Sequence, residues 1–574
     1  MIKKKWTIKK QENTDLIKQL ASQQNIPPVL AGLLVQRGID TYEKAQEFFH
    51  PSLKLLHDPF LMKDMDKAVM RLDRALTKKE KILIYGDYDV DGTTAVALLY
   101  SFLKKRHPFI EFYIPDRYSE GYGISAKGID FAAHNDFTLI ISLDCGIKNI
   151  AEIEEAAKHG IDFIVCDHHI TDDESPKCCA VLDPKRKDCA YPYKELTGCG
   201  VGFKLAEAFC QRKKIPITEL YEYLDMVAIS IASDIVPITG ENRIIMHYGL
   251  QQLNAKPRAG FRALLDISQI KKEMDVTDVV FIIGPRINAA GRIDTGRNAV
   301  RLLISDDYEE AKQIAYVIND DNTTRKNLDA YITQEALELI EKDDVLRNAK
   351  STVLFGPDWH KGVLGIVASR LIEHYYRPTI VLTEYDGLVT GSARSVKEFD
   401  LYSAISDCSD LLEHFGGHKC AAGLTLKKEN LEAFSARFEK IVSENMGEII
   451  PVPEIEIDAE IDLSSITQQF YNVIKSFGPF GPENMKPLFM TSKLQDTGYA
   501  KIVGNNHLKF TVSHPGQRNG FGAIAFNQGA FLDVVAKKKN FEACYCIEEN
   551  TWNERKSLQL NVKDIRCLDC NEAF

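Results

Sequence analysis

Three carboxylates, Asp87, Asp89 and Asp91, stand two residues apart in the stretch ILIYGDYDVDGTTAVALLY, which runs from Ile82 to Tyr100. Like charges so crowded raise one another's pKa unless a cation neutralises them. Gly86 and Gly92 bracket the acids and allow the close backbone approach that a metal or phosphate site at a strand end requires. The spacing begins like a calcium loop, yet the downstream bidentate glutamate is missing, because the apolar run around Val96 to Leu99 occupies its place. The stretch therefore admits a divalent-metal site or a solvated acidic loop. Two further apolar runs end in groups of the same chemistry. Leu139 to Leu143 leads into Asp144 and Gly146, and Ile161 to Cys166 leads into Asp167, His168 and His169. A fourth, YLDMVAISIASDIVP, carries Asp234 just ahead of a Val-Pro stop, and a buried carboxylate there needs a partner. A single histidine at a strand end usually serves structure. Asp-His-His in a chain that delivers comparable groups at other strand ends points instead to ligands.

These groups need a frame. The β-branched run Ile82 to Tyr85 predicts a buried strand and Thr93 to Lys105 a helix, which places the acids on a strand-to-helix turn. Helical patterns at Gly128 to Ala133 and Ile150 to His159 separate the next strands. Such alternation predicts a parallel sheet with right-handed crossovers, and ligands collect outside the carboxyl ends of its strands. Asp307 to Asp344 is mostly polar, with Ile314, Val317, Ile318, Leu328, Ile332, Leu337 and Ile340 at broadly helical spacing. It reads as a helix bridging two globular parts. Beyond it, STVLFGPDWHKGVLGIVASRLIEHYYRPTIVL opens a second α/β domain that ends near Glu448. From about Pro451, HLKFTVSH, GAIAF and FEACYCIEEN are short alternating strands with Gly and Asn turns, the pattern of a five-stranded OB barrel. Phe510, Phe521 and Phe526 are there either base-stacking platforms or barrel core. The N-terminal segment to about Asp73 reads as helical and carries KKKWTIKK, a small basic patch or a frayed terminus.

Composition narrows the class. A chain of 574 residues is too long for one core and implies about three or four domains. A net charge of -11 leaves no global basic footprint, so a nucleic-acid partner would be held by local Arg and Lys positions and by metal ions. No run of eighteen apolar residues occurs, and MIKKKWTIKKQ lacks the apolar core of a signal peptide, which leads to the expectation of a cytoplasmic protein without a membrane partner. The 13 cysteines are odd in number and irregularly spaced, as reduced core residues are. CLDC at Cys567 to Cys570 is a lone CxxC with no second pair nearby, a weak metal signal.

GDYDVDGTTA, LDCG, CDHH and ASDIVP resemble the four motifs of the DHH phosphoesterase superfamily. GSARSVKEFDL followed by EHFGGHKCAAGLTL resembles its companion DHHA1 domain. Within that superfamily the chain is similar over nearly its whole length to the RecJ family of bacterial single-strand-specific exonucleases. PPVLAGLLVQRGIDTYEKAQEFFHPSLKLLHDPFLMKDMDKAV, PDRYSEGYG, GPRINAAGRIDTG and FGPFGPENMKPLF carry this finer likeness, since smaller DHH proteins lack them. One position departs: Tyr85 stands where many DHH proteins have a histidine, four residues ahead of the first ligand aspartate.

The resemblance implies an α/β multidomain chain. Its parts are an N-terminal helical and basic region at 1–73, a parallel-sheet DHH domain at 74–265, a DNA-contacting segment and long connecting helix at 266–345, a DHHA1 domain at 346–450 and an OB-type nucleic-acid-binding barrel at 451–574. Carried over residue by residue, it assigns Asp89, Asp91, Asp144, His168 and Asp234 to two divalent ions, Mn2+ or Mg2+, with one carboxylate bridging and Asp87 as a ligand or outer-sphere group. Cys145 and Cys166 would face the sheet core. Asp167 would orient the histidine pair. Two ions about 4 Å apart activate a water, hold the scissile phosphate and stabilise both oxygens of an in-line displacement. His169 would then meet a phosphate oxygen or the leaving side, or stiffen the site through a carboxylate. Arg117, Ser392 and Arg394 would hold a terminal 5′-phosphate, for which an arginine fork with a hydroxyl is suited. Arg286 and Arg292, flanking INAAG, would meet backbone phosphates or lie on the surface. Gly416, Gly417 and His418 would let backbone and imidazole approach the nucleotide near the metals. The implied activity is a metal-dependent 5′→3′ exonuclease that degrades single-stranded DNA to 5′-monophosphates in recombination and repair, with a helicase and a single-strand-binding protein as partners. Two competing readings are a DHH phosphodiesterase on short oligonucleotides or cyclic dinucleotides, which would need no OB segment, and a non-catalytic single-strand-binding scaffold, against which the intact acids argue.

Overall fold

In the computed structural model of the chain, five short apolar runs form one sheet. They are Ile82–Gly86 (β1), Ile110–Tyr113 (β2), Leu139–Leu143 (β3), Asp162–Cys166 (β4) and Ala180–Leu182 (β5), in the order β2-β1-β3-β4-β5. Every pairing is parallel, and β1 and β3 are buried along their whole length, as strands covered on both faces are. The chain leaves β1 for β2 on one side and returns to β3 on the other. The carboxyl ends of β1 and β3 therefore flank the point where the strand order reverses, which is where such sheets open a crevice. The described residues are 4–11, 13–171, 174–447, 452–517, 520–536, 540–552 and 555–567.

Helix Val90–Lys104 (α1) begins at Val90 rather than Thr93 because Asp89 caps it, accepting from the Gly92 amide at 3.0 Å. Asp91 consequently lies in the first helical turn and not in the loop. Two later helices, Gly198–Lys213 (α2) and Leu224–Ser233 (α3), pack against α1. The bridging helix spans Tyr308–Lys342 (α4), with Asp307 capping it through Glu310 N at 2.7 Å. It buries Ile318, Ile332 and Ile340, whereas Val317 faces outward. A mixed sheet follows: Thr352–Phe355 (β6), Thr379–Tyr385 (β7), Leu388–Arg394 (β8), His414–His418 (β9) and Ala421–Leu426 (β10), in the order β9-β10-β8-β7-β6. Helix Leu364–Tyr375 (α5) packs on β7 and β8. All of these belong to one compact unit, 58–234 with 249–453.

The second unit comprises 3–57, 235–248 and 454–574. Five strands close a ring in it: Phe489–Asp496 (β11), His507–Ser513 (β12), Phe521–Ala525 (β13), Phe541–Trp552 (β14) and Arg555–Cys567 (β15). The ring runs β11-β14-β15-β13-β12 and returns to β11, the five-stranded barrel expected. Its core continues into the N-terminal helices through Ile17, Leu20, Leu30 and Leu34. Phe510 is core, Phe521 is half-buried against it, and Phe526 is exposed with its ring against His507. Within KKKWTIKK the described residues Lys5–Ile8 form a strand rather than a frayed end. Lys5–Ile8 pairs in parallel with Glu454–Ile457, and two of the lysines lie beside acids, Lys5 at 3.7 Å from Glu454 and Lys9 at 2.9 Å from Asp458. Cys570 of CLDC lies outside the described residues. No helix among the described residues is long and apolar enough to cross a membrane.

Candidate metal centre and end pocket

Elements far apart in sequence bring acid and imidazole to one point. His168 follows β4, and its Nε2 lies 3.2 Å from Asp144 Oδ1 at the end of β3. The same atom is 3.6 Å from Asp91 Oδ2 in α1 and 3.6 Å from Asp234 Oδ2, the C-cap residue of α3. Asp91, Asp144 and His168 are buried. Burial holds the His168 imidazole down to about 4, so the ring is neutral, as a metal ligand must be. Burial, and then Asp91 and Asp89, push Asp144 well above the carboxylate range and Asp234 to about 8. Burial and Asp91 raise Asp89, and burial and Asp89 raise Asp87. So many carboxylates at one place ionise together only beside a cation. Among the described residues, Asp87 Oδ1, Asp144 Oδ1 and His168 Nδ1 are buried without a hydrogen-bond partner. Oxygen donors with one imidazole fit Mn2+ or Mg2+. Cys145 and Cys166, which would favour softer metals, are buried in the core with thiols that burial keeps protonated.

Asp91 is held by an element that reading the sequence did not connect to it. Gly198 N donates to its Oδ2 at 2.7 Å, Cys199 N to its Oδ1 at 2.8 Å, and Ser230 Oγ to the same oxygen at 2.7 Å. The positive end of α2 thus sits on a carboxylate, a favourable pairing. Only glycine fits at 198, since a Cβ there would lie 2.5 Å from Asp144 Cβ. The available signal was TGCGVG, a threonine cap followed by small residues.

Asp167 braces the histidine pair from below. Its Oδ1 accepts from His168 N at 2.7 Å and lies 2.7 Å from His169 Nδ1, while its Oδ2 accepts from Ile147 N at 3.0 Å. Burial opposes the Asp167 charge, but His169 and the amides hold it down to about 2. Burial likewise opposes charge on His169, yet Asp167 raises it to about 9. His169 is therefore an imidazolium at neutral pH. Tyr122, also not foreseen, places its hydroxyl 3.2 Å from His169 Nε2 and donates to Asp144 O at 2.9 Å. Tyr85 takes no part: its buried hydroxyl donates to Gly123 O at 3.1 Å, within the core cluster of Ile124 and Ile129.

In the same unit a cavity of about 380 Å³ is lined by Tyr88, Arg117, Lys361, Thr390, Ser392 and Gly416 among others. Arg117 stacks 4.7 Å above the Tyr88 ring. Arg394, next to Ser392 on β8, donates to Ser392 Oγ at 3.1 Å, and burial together with Arg117 lowers its pKa. Arg292 turns inward, donating to Gly362 O at 2.9 Å, with its pKa lowered to about 10 by burial and by Arg117, Arg325 and Arg394. Arg286 instead joins Asn319 on α4 at 3.1 Å. Gly416 and Gly417 lie on β9, and exposed His418 ends it. Burial, Lys148 and His169 lower the His418 pKa.

Comparison with known proteins covers both units. The DHH family, N-terminal domain, matches residues 81–231, the DHHA1 domain 348–444 and the RecJ OB domain 457–564. The chain is 37% identical over 567 residues to the single-stranded-DNA-specific exonuclease RecJ of Bacillus subtilis, covering 98% of this chain and 71% of that protein. It is 32% identical over 566 residues to the Escherichia coli RecJ, covering 94% and 96%. Among solved structures, Thermus thermophilus RecJ in complex with Mn2+ superposes with a TM-score of 0.85 at 28% identity, over 99% of this chain and 80% of that one. The Mg2+ complex gives 0.79 at 27% identity, over 99% and 79%.

Proposed function

Because the chain belongs to the RecJ family of single-stranded-DNA-specific exonucleases, we propose that it hydrolyses single-stranded DNA from the 5′ end and releases nucleoside 5′-monophosphates. One observation carries this reading. A single compact unit holds both an acid and imidazole cluster around His168 and a cationic cavity at Arg117 and Ser392 that, among the described residues, no carboxylate lines. The first suits hydrolysis, and the second suits a chain end bearing phosphate.

We assign Asp89, Asp91, Asp144, His168 and Asp234 as donors to two divalent ions, Mn2+ or Mg2+, with Asp87 beside them. Bound there, such ions supply Lewis acidity to the attacking water and to the scissile phosphoryl group. The remaining work falls to the chain. The amides of Gly198 and Cys199 keep Asp91 in register. His169, charged because Asp167 faces it, donates toward a phosphate oxygen or the departing O3′. Arg117, Ser392 and Arg394 hold the terminal phosphate, Arg286 and Arg292 serve the following backbone, and His418 approaches the nucleotide over the metals. Holding one end fixes which bond reaches the centre, and a 3′ end carries no equivalent group. In the cell this activity fits recombination and repair, with a helicase exposing the single strand and a single-strand-binding protein keeping it open.

The test is a long 5′-phosphorylated strand labelled separately at each end, single-stranded or in blunt duplex, incubated with Mn2+ or Mg2+. Labelled mononucleotide should appear first from the 5′ label, and the duplex should be cut slowly. Release from the 3′ label, or hydrolysis confined to di- and trinucleotides, would transfer the chain to the short-oligonucleotide phosphodiesterases.

A further inference from the structure

The end pocket is larger and more cationic than one terminal phosphate requires. Its volume of about 380 Å³ is more than the five heavy atoms of one phosphoryl group fill. Its lining includes a residue with no role in the reading above. Lys361 lines the cavity together with Arg117, and burial and the Arg117 charge lower its pKa. Its ammonium lies 4.3 Å above the Tyr385 ring and 5.9 Å from that of Tyr118. These rings fix the position of Lys361 without neutralising it. Among the described residues neither Lys361 nor Arg117 has an ion pair, and no Asp or Glu lines the cavity. Two cations that repel each other across a shared space, with Arg394 behind Ser392 as a third, are stabilised by an anion of more than ordinary charge. Hydroxyls continue the polar wall past Ser392: Thr390 and Thr425 line the same space, with their oxygens 3.3 Å apart.

We propose that this pocket admits strands whose 5′ end carries a di- or triphosphate, with Lys361 contacting the phosphates beyond the first. The proposal rests on the reading of Arg117, Ser392 and Arg394 as the site of the terminal 5′-phosphate. A monophosphate brings about two negative charges at neutral pH, and each further phosphate adds about one more, which Lys361 answers. The reaction then differs only in its first turn. Water adds to the phosphorus that joins nucleotides one and two, the bond from that phosphorus to O3′ of nucleotide one breaks, and O3′ takes a proton. Nucleotide one leaves as a nucleoside 5′-di- or triphosphate, and the shortened strand carries an ordinary 5′-monophosphate into the next turn.

The experiment uses one single-stranded DNA sequence made with 5′-hydroxyl, 5′-monophosphate or 5′-triphosphate, the last labelled at the γ position, and the full chain with Mn2+. Wild type should release the γ label as intact nucleoside triphosphate at a rate within a few fold of that on the monophosphate strand. Lys361→Gln should lose about ten- to a hundredfold on the triphosphate strand, the scale of a lost charge-assisted contact, and little on the monophosphate strand, which serves as the check on folding. A triphosphate strand no better than the hydroxyl strand, label released as inorganic phosphate or pyrophosphate, or a Lys361→Gln loss equal on both phosphorylated strands would overturn the proposal. Loss of the preference for monophosphate over hydroxyl in wild type is a separate outcome, and it would remove the end-pocket reading together with the proposal.

Discussion

Replacing Gly198 with alanine tests whether the start of α2 is part of the metal centre. The new Cβ would stand 2.5 Å from Asp144 Cβ and 2.6 Å from its Cα. Relieving that to the 3.4 Å of ordinary contact moves the helix start back by about 0.9 Å. The 2.7 Å bond from Gly198 N to Asp91 Oδ2 then stretches to about 3.6 Å, beyond hydrogen-bonding range. One lost bond to a charged group is worth about 1.5–3 kcal/mol, so Mn2+ affinity should fall by roughly 10- to 150-fold, a factor of ten for each 1.4 kcal/mol. Overpacking should also cost about 1–3 kcal/mol of stability, well short of unfolding a chain with two large cores. Calorimetric titration with Mn2+, read beside thermal melting and hydrolysis at low and saturating Mn2+, separates these effects. Activity should return in part at saturating metal. Unchanged Mn2+ affinity in the Gly198→Ala variant would show that the α2 amides do not position Asp91 for a metal and that the short contacts are mere packing.

Three further outcomes follow from the same geometry. Asp144→Ala or His168→Ala should abolish hydrolysis while the circular dichroism spectrum is retained, because each removes a donor from the cluster around His168 Nε2; near wild-type turnover at matched metal would take that residue out of the site. In the metal-free protein, burial and mutual repulsion raise Asp87 and Asp144 well above ordinary carboxylates and Asp234 to about 8. A raised folded pKa means that the folded chain holds protons the unfolded chain has released, so the stability these groups contribute is present at low pH and lost as pH rises through the folded values. Metal-free protein should therefore melt lower as pH rises from about 5 to 8, Mn2+ should reverse the loss, and Mn2+ affinity should climb over the same range as protons are displaced; a flat affinity would exclude Asp234 as a donor. Arg394→Ala should weaken binding of 5′-phosphorylated strands by about 1.5–3 kcal/mol and shrink their advantage over 5′-hydroxyl strands, and lysine should restore only part, lacking the planar fork; a fully kept preference would contradict the pocket assignment.

What could be read along the chain, and what could not, divides on a physical line. An aliphatic strand that ends in Asp, or in Asp-His-His, announces itself locally, because apolar burial and a charged terminus occupy neighbouring positions. Asp144 and His168, which the structure brings within 3.2 Å of each other, stood out for that reason. The start of α1 was misplaced to Thr93 because Val90 and Gly92 are weak helix formers, whereas the cap made by Asp89 decides the boundary. Contacts that reach across the fold leave only faint traces. Gly198 and Ser230 meet Asp91 from 107 and 139 residues away, and Lys361 shares a cavity with Arg117 from a short turn far along the chain. Lys5 and Lys9 misled for the converse reason: the acids beside them sit at Glu454 and Asp458, too far along the chain for composition to pair them. Residues that carry charge to a site are therefore easier to find than residues that hold the charge still. In this chain the second kind, Gly198, Ser230 and Tyr122, bear on Asp91 and Asp144, two of the acids that lie beside His168. The variants that separate a positioned metal centre from a merely acidic crevice are accordingly those at Gly198, Ser230 and Tyr122, which leave every proposed donor in place.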